Sequence, residues 1–379
     1  MLFKLVFISL CFIPFLLQAQ TDGVGVKKRK VFGFSPLSDT ITKESKGVFV
    51  LPLLYYTPDT RWAAGAAGVY YFKSQPKSAG QVETRMSNIQ FLADYTQNRQ
   101  LDILSNWNIF TVNENYLFKG DIRFRNFPDK FYGIGNQTSL SQVEKYSYDL
   151  LVLRSLQLKK IKPGLFLGFD YEFEYEFNFQ LEPGGDLENG NILGNRGSTG
   201  SAIGLVGVLD TRDNVINAYK GRLAELSTYF FLPQLGSTFR FITVNGTYQH
   251  YWRLKSKHIL AWQTKTRFTF GDVPFLDLPT LGNDDILRGY AKNRFRDQHF
   301  MGTQLEYRFP LFWRFGGVAF AGAGDVFGPS SNLSLKNLKY SIGAGLRFVV
   351  NPSERLNIRL DYGYGKEGGH FYFVVAESF

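Results

Sequence analysis

The sequence has few of the residues that disulfides and histidine metal sites require, and it lacks long apolar runs. Its 379 residues include one cysteine and four histidines. After the N-terminal segment, no apolar run reaches the roughly 20 residues of a membrane-spanning helix, which excludes a polytopic helical membrane protein. Aromatic residues, in contrast, make up 17% of the chain, which excludes intrinsic disorder. A large soluble β protein and a membrane β-barrel remain.

Residues 1–19 predict a secretory signal peptide. Lys4 is the only charged residue before Asp22, an apolar core follows it, and Ala19 provides a small residue at the expected cleavage point. A helical membrane anchor is the alternative, but the apolar core is too short for one. Because the single cysteine, Cys11, lies in this leader, the exported chain is predicted to contain neither disulfides nor reactive thiols.

From Val48 onward, the dominant pattern is an alternation of apolar and polar residues, and it is clearest in residues 165–179. The odd positions of this segment are all Leu, Phe or Tyr, whereas acidic residues occupy the even positions from Asp170 to Glu176. Successive side chains of a β-strand point to opposite faces, so one face would be apolar and the other acidic. A helix would mix the two sets on every face. The pattern therefore predicts an amphipathic strand.

Sixteen such segments are predicted strands. Many reach the roughly 9–11 residues that a tilted strand needs to cross a bilayer, whereas strands of soluble sandwiches are mostly about 5–6 residues long. Tyr, Phe and Trp near the segment ends suit the aromatic girdles of membrane barrels. The predicted fold is all-β, a 16-stranded antiparallel transmembrane β-barrel over residues 47–379, with a soluble sandwich as the alternative. The segments are 48–56, 61–72, 87–95, 101–111, 115–125, 147–158, 164–179, 200–210, 221–231, 237–252, 258–271, 301–309, 315–325, 339–349, 355–363 and 370–379.

The links between these segments alternate in length. Most links after even-numbered strands are short, whereas residues 126–146, 180–199 and 272–300 are long links after odd-numbered strands. Outer-membrane barrels have short periplasmic turns and long external loops, and an even strand number returns both termini to the periplasm. We therefore expect a barrel in the lipid of a Gram-negative outer membrane, with both termini periplasmic. Residues 73–86, a long link on the periplasmic side, do not fit this alternation.

Residues 20–46 are predicted to be a short basic periplasmic tail. The segment carries six basic and three acidic residues, including the run from Lys27 to Lys30. Such a segment can be attracted to anionic lipid headgroups or to an acidic partner, and a merely solvated tail is the alternative. Nucleic-acid binding is not predicted, because the other basic residues are dispersed along the chain.

Four short motifs then occur in a fixed order. Asp210-Thr211-Arg212-Asp213-Asn214 forms a turn, and Leu287-Arg288-Gly289-Tyr290 lies in the last long loop. They are followed by Glu306-Tyr307-Arg308-Phe309-Pro310 and by Phe320-Ala321-Gly322-Ala323-Gly324. Placed on the predicted strands, these motifs resemble the BamA/TamA superfamily of sixteen-stranded outer-membrane proteins, also called the bacterial surface antigen family. The resemblance covers essentially the whole barrel.

The resemblance implies that the long external loop folds into the lumen and that inner-wall carboxylates hold its arginine. Arg288 matches that arginine, and Gly289 permits close approach of the backbone. Glu306 matches the acidic position of the next strand, and the alternation points it inward. The chain departs from the family at Gly322, where an aspartate is usual, so Glu306 and Asp361 are both candidate partners. A solvated loop arginine is the alternative for Arg288.

Three residues near the ends of the predicted barrel complete the comparison with the family. Phe379 is expected to close the last strand and resembles the C-terminal aromatic residue that outer-membrane assembly machinery recognises. Glu377 stands where an apolar residue is usual. Pro52 lies in the first strand, and because proline cannot donate to a β-ladder, it predicts a weak lateral seam with the last strand. In insertase relatives that seam opens laterally. Alternatively, the missing N–H of Pro52 faces no partner.

The predicted function is outer-membrane protein assembly, insertion or translocation. About 27 residues before the barrel are too few for the periplasmic POTRA domains of the family, so we expect a barrel-only member that works with protein partners or client outer-membrane proteins. A passive channel for small solutes is the alternative function. The sequence is also compatible with a homo-oligomer.

No catalytic, cofactor-binding or metal site is predicted, and the protein is not expected to be an enzyme. The four histidines lack metal-ligand spacing, and no Gly-x-Ser-x-Gly motif is present. The acidic residues from Asp170 to Glu176 are expected to pair with inward bases such as Lys265 and Arg267.

Overall fold

The computed structural model describes residues 46–57, 61–72, 74, 84, 86–282, 285–329, 333–352, 355–375 and 377–379. The predicted signal peptide, with Cys11, and the predicted basic tail up to residue 45 lie outside these described residues, as does most of the link 73–86. Within the described part of the chain, no helix has the length and hydrophobicity to cross a membrane.

The structure is an antiparallel all-β fold with eighteen strands among the described residues, and sixteen of them coincide with the predicted segments. The other two, β12 and β13, are two-residue strands that the sequence pattern did not predict. One helical turn, α1 (Asp186–Asn189), and three 3₁₀ turns, Val112–Glu114, Leu140–Gln142 and Pro233–Leu235, lie between strands. The strands are β1 (Lys46–Thr57), β2 (Arg61–Phe72), β3 (Ser87–Thr96), β4 (Leu101–Phe110), β5 (Tyr116–Phe131), β6 (Glu144–Lys162), β7 (Leu165–Leu181), β8 (Ser198–Asp210), β9 (Gly221–Phe231), β10 (Phe241–Lys255), β11 (His258–Gly271), β12 (Thr280–Leu281), β13 (Phe295–Arg296), β14 (His299–Pro310), β15 (Phe315–Phe327), β16 (Lys339–Asn351), β17 (Leu356–Gly365) and β18 (Gly368–Val375).

The first of two compact units ends at Phe127 and contains β1 to β4 and most of β5. Its strands pair antiparallel in chain order. On its buried face, Arg123 Nε donates to Asp102 Oδ1 at 2.8 Å. On its exposed face lie apolar side chains such as Phe91 and Tyr95. In a soluble protein, charged side chains are mostly exposed and apolar side chains are buried. The opposite arrangement, with charged groups on the buried face and aromatic groups on the exposed face, is the one expected of a membrane barrel.

The second unit, Pro128–Phe379, contains the remaining strands. Strands β6 to β11 pair in chain order, and β11 then pairs directly with β14. Residues 272–298, which we call the long loop, are inserted between these two neighbouring strands and contain the β12–β13 hairpin. Because β11 and β14 remain paired, the loop leaves the sheet without interrupting it.

Strand β14 shows how the alternation positions charged side chains in this unit. Glu306 and Arg308 lie on the buried face, whereas Met301, Leu305 and Tyr307 are exposed. A strand side chain at every second position reaches the same face. Glu306 therefore lies on the face that its position in the alternation predicts.

Several predicted boundaries were wrong, among them the end of the last strand. Strand β18 ends at Val375, so Phe379 does not close the last strand. The residues after β18 are held by an ion pair between Glu377 and Arg347. Arg347 Nε donates to Glu377 Oε2 at 2.7 Å. The predicted link 126–146 is also shorter than expected, because β5 continues to Phe131 and β6 already begins at Glu144.

Candidate functional site

The motif Leu287-Arg288-Gly289-Tyr290 is buried in the second unit. Leu287 and Gly289 have positive φ angles of 56° and 120°, so the chain turns sharply on both sides of Arg288. Gly289 is the residue type that accepts such an angle without steric cost. The turn directs Leu287 into an apolar cluster that includes Leu281 and Phe300 and leaves the Arg288 guanidinium facing the sheet.

Both candidate carboxylates bind Arg288. Its Nη2 donates to Glu306 Oε1, and its Nη1 donates to Asp361 Oδ2 at 2.5 Å. The guanidinium carbon also lies 3.5 Å from the centre of the Phe320 ring. A planar guanidinium offers several donors in fixed directions, which suits contact with two carboxylates and one aromatic face. The structure thus brings together residues 288, 306 and 361, and the arginine is not solvated.

The space next to Gly322 is too narrow for a side chain. A Cβ atom at residue 322 would lie 2.9 Å from the Thr303 carbonyl oxygen, 3.1 Å from the Gln304 Cβ and 3.2 Å from Leu287 Cδ2. These distances are tighter than ordinary van der Waals contact, so the backbone of β14 and the side chains of Gln304 and Leu287 occupy the space into which a side chain at residue 322 would extend. The acidic partners of Arg288 come from β14 and β17 instead.

Arg288 belongs to a larger closed network that we call the ion ring. The ring has three arginines and three carboxylates in alternation, and every side chain in it is at most 6% exposed. Arg308 binds Glu306 at 3.0 Å, Arg347 binds both Asp361 and Glu377, and Arg308 lies 3.9 Å from Glu377. The members in order are Arg288, Glu306, Arg308, Glu377, Arg347 and Asp361.

The alternation of charge makes this burial possible. Moving an unpaired charge out of water costs several kcal/mol, but each ring member has an opposite charge on either side. The formal charges of the six groups cancel. Arg359, which is also buried, lies beside the ring and adds a fourth arginine at 3.1 Å from Asp361. Removal of any one member therefore leaves buried charge uncompensated.

Further contacts attach the long loop to β16, to β18 and to the turn between β17 and β18. The Tyr290 hydroxyl donates to the Tyr340 carbonyl at 2.9 Å, and the Gly289 amide donates to the Tyr372 hydroxyl at 2.8 Å. Arg294 Nε donates to Glu367 Oε2 at 2.7 Å. Sequence reasoning missed Arg294, although a second arginine six residues after Arg288 in the same loop was a signal for it.

The acidic side chains of β7 do not all have the predicted partners. Arg154, on the neighbouring strand β6, binds Glu172 at 2.6 Å and Glu174 at 2.5 Å. Lys265 was expected to pair with this acidic face but binds Asp285 of the long loop instead. That part of the prediction was wrong, because the alternation gives the face of a residue and not the loop that covers it.

A group of three carboxylates was also missed. Glu174, Glu176 and Asp277 each place one oxygen within 4.8 Å of the others. Burial and the neighbouring Glu176 carboxylate raise the pKa of Asp277, which lies in the long loop, to about 8. The oxygens are of the type that binds a hard cation, and close like charges also favour protonation of one member.

The two remaining candidates, Pro52 and Phe379, form no hydrogen bond or ion pair with Arg288 within the part of the chain that the structure describes. Pro52 is exposed in β1 of the first unit, where it faces Ala66 of β2. Phe379 packs beside a buried cluster that includes Tyr251 and Ile259, and its carbonyl oxygen accepts a hydrogen bond from Arg308 Nη2 at 2.9 Å.

The Omp85 superfamily domain matches residues 70–379. The fold is similar to that of BamA from Haemophilus ducreyi lacking POTRA domains 1–3, with a TM-score of 0.58 and 14% identity over 88% of this chain and 70% of that chain. It is also similar to CdiB from Acinetobacter baumannii, with a TM-score of 0.54 and 10% identity over 88% of this chain and 60% of that chain. No curated protein sequence matches the chain.

Proposed function

The chain belongs to the Omp85 superfamily, and we propose that it acts in the insertion or translocation of proteins at the bacterial outer membrane. The family match and the two structural neighbours support this function at the level of the family. Within the molecule, the observation that carries the proposal is the burial of Arg288 between Glu306 and Asp361. A loop held by buried ion pairs is a defined structural element and not a solvated connection.

The proposal includes a closed barrel whose buried face lines a lumen and whose long loop folds into that lumen. Charged side chains on the buried face and apolar side chains on the exposed face support it, because a bilayer requires this arrangement of a barrel wall. We place the barrel in a Gram-negative outer membrane with both termini periplasmic. In this arrangement the short turn between β14 and β15 faces the periplasm.

The proposal further includes protein partners or client outer-membrane proteins. Pro52 would weaken the lateral seam between the first and the last strand, since proline donates no ladder hydrogen bond. Phe379 would serve as an assembly signal of the chain itself, although it lies outside β18. No catalytic step is assigned to any residue.

A passive channel for small solutes is the second candidate, and a specific cavity favours it. The cavity has a volume of about 390 Å³ and lies between the long loop and strands β10 and β11. Lys265, Arg267 and Asn245 contribute polar groups to its wall. A water-filled space of this kind could conduct ions if it continued through the barrel.

Planar-bilayer conductance of the full chain separates the two candidates. A protein-insertion role predicts low or intermittent conductance, which should become large when residues 281–296 of the long loop are replaced by a short Gly-Ser linker. Large and steady conductance of the unchanged protein would instead support the channel.

A second experiment tests the insertion role directly. Vesicles that contain the protein should accelerate the folding of a urea-unfolded outer-membrane barrel added from outside. Arg288→Ala should reduce this acceleration, whereas Lys292→Ala, a change at an exposed position of the same loop, should not. Equal acceleration by vesicles without the protein would exclude the proposed function.

A further inference from the structure

The residues after β18 fold onto the buried face of the second unit. The Glu377 carboxylate accepts hydrogen bonds from Arg347 Nε and from Asn357 Nδ2, both at 2.7 Å. The Ser378 hydroxyl donates to the Asp285 carbonyl at 2.9 Å. Phe379 accepts from Arg308 as described above. We call residues 377–379 the C-terminal latch, because they touch both the sheet and the long loop.

Glu377 balances the charge of the ion ring. Without its carboxylate, Arg288, Arg308, Arg347 and the adjacent Arg359 would share the carboxylates of Glu306 and Asp361, with the Phe379 backbone oxygen as a further acceptor for Arg308. The ion ring would lose one of its three negative charges in a site where each of its side chains is at most 6% exposed. An isolated buried charge is costly, so Arg308 and Arg347 would move toward water or toward another anion. Arg288 shares its two carboxylates with these arginines and would be disturbed by that movement.

The latch also reaches the long loop independently of charge. Ser378 donates to the backbone of Asp285, which lies three residues before Arg288. The loop is therefore held from two directions, by the side chain of Arg288 and by the latch at its own backbone. Departure of the latch removes the Ser378 contact and the charge balance of the ring together.

We propose that Glu377 positions Arg288 through Arg308 and Arg347, and that residues 377–379 couple the release of the long loop to the release of the chain end after β18. The proposal does not depend on whether the protein inserts other proteins or conducts solutes. It assigns a role to Glu377 that neither the family match nor the structural neighbours give. Because coupling between two sites is reciprocal, loosening of either element must loosen the other.

The first experiment measures exposure of the long loop. A thiol introduced by Ile286→Cys reports loop opening, because Ile286 is buried and the only natural cysteine, Cys11, lies in the predicted leader. The full chain in phospholipid vesicles is labelled with a maleimide reagent. Glu377→Gln should increase the labelling rate at least about fivefold, the lower range of typical coupling between sites. An unchanged rate would overturn the proposal.

Asp102→Asn provides the matched control. It also removes one charge from a buried carboxylate that binds arginine, but its partner Arg123 lies in the first unit. The control should leave the labelling of Ile286→Cys unchanged. If it accelerates labelling as much as Glu377→Gln does, the effect is a general loosening of the protein and the proposal is wrong.

The second experiment changes the long loop and measures exposure of the C-terminal latch. A thiol introduced by Ser378→Cys reports the latch, and Arg288→Ala should increase its labelling rate by a similar factor. If loop release leaves Ser378→Cys labelling unchanged, the two elements are not coupled.

Glu377→Asp keeps the negative charge and replaces Glu377→Gln as the test variant if Glu377→Gln does not fold. It should retain part of the protection of Ile286→Cys, between that of the parent protein and that of Arg288→Ala. Labelling as fast as in Arg288→Ala would contradict the role of the charge.

Discussion

The backbone of Arg288 passes so close to Gly363 that a Cβ atom at residue 363 would lie 2.6 Å from the Arg288 carbonyl carbon. Real Cβ atoms do not approach backbone carbon at that distance, so this point of β17 accepts only glycine while the loop keeps its position. The approach places the Arg288 side chain beside Asp361, two residues earlier on the same strand. The ion pair between Arg288 and Asp361 thus depends on the absence of a side chain at residue 363.

Gly363→Ala should therefore displace the long loop. We expect a loss of about 1–3 kcal/mol, the usual cost of overpacking, and faster trypsin cleavage at the exposed Lys292. Gly207→Ala on β8 is the control, since the nearest atom to its Cβ would be the flexible Leu167 Cδ2 at 3.3 Å. Equal cleavage in the two variants would show that the close approach does not hold the loop.

Arg288→Ala should be strongly destabilising. It leaves Glu306 and Asp361 buried without one of their partners, and breaking a buried ion pair from one side typically costs about 3–5 kcal/mol. Urea unfolding in phospholipid vesicles, followed by tryptophan fluorescence, measures the change. Lys292→Ala should shift the same curve by less than about 1 kcal/mol, because its side chain is 61% exposed and 4.0 Å from Asp129. Similar shifts for both variants would mean that burial of Arg288 contributes little.

Tyr290→Phe removes the neutral hydrogen bonds of one loop hydroxyl. The Tyr290 hydroxyl donates to the Tyr340 carbonyl at 2.9 Å and accepts from the Lys366 amide at 3.4 Å, and the change keeps the ring in place. A net loss of about 0.5–1.5 kcal/mol is expected, with the same unfolding assay. Tyr364→Phe, at an exposed position of β17, should have no measurable effect. A neutral result at residue 290 would indicate that the carbonyl finds another donor.

The pH dependence of the free energy of unfolding should reveal the ionisation of Asp277. Burial and the Glu176 carboxylate raise the pKa of Asp277 to about 8 in the folded protein, above the value of about 3.9 in an unfolded chain. A group with a raised folded pKa contributes stability that is complete below the unfolded pKa and is lost as the pH rises through the folded pKa. Stability should consequently fall as the pH rises from about 4 to about 8.

Asp277→Asn should flatten this fall, because an asparagine cannot ionise. Unfolding midpoints in urea at pH 5, 7 and 9 measure the effect. Asp272→Asn, in an exposed part of the same loop, should retain the pH dependence of the parent protein. An unchanged slope in Asp277→Asn would show that Asp277 is not the titrating group.

The regular part of the fold was predictable because its signal is local. In β7 and β14, the alternation of side chains has a period of two residues, and only one register buries the charged set. The sixteen long strands and the orientation of Glu306 follow from that period. The β12–β13 hairpin was not predicted, because it consists of two-residue strands stabilised by the residues around them and not by a repeating pattern.

The candidate site was predictable only in part. The resemblance to the family identified Arg288 and implied Glu306 and Asp361 as partner candidates, and the alternation pointed Glu306 inward. No local pattern could show that both bind at once, since residues 288 and 361 are far apart along the chain. The position of Glu377 in the ion ring could not be predicted either. Glu377 follows the end of β18, so the strand alternation does not specify where its side chain lies.

By itself, the sequence determined the sixteen long strands to within a few residues, the face on which side chains such as Glu306 lie and the loop that carries Arg288. These properties depend on the backbone geometry of a few consecutive residues. The tertiary structure decided which buried charges meet, and it brought residues 377–379 away from the last strand and into the ion ring. The reason is electrostatic: a buried arginine is stable only where carboxylates surround it, and those carboxylates come from segments that only the complete fold brings together.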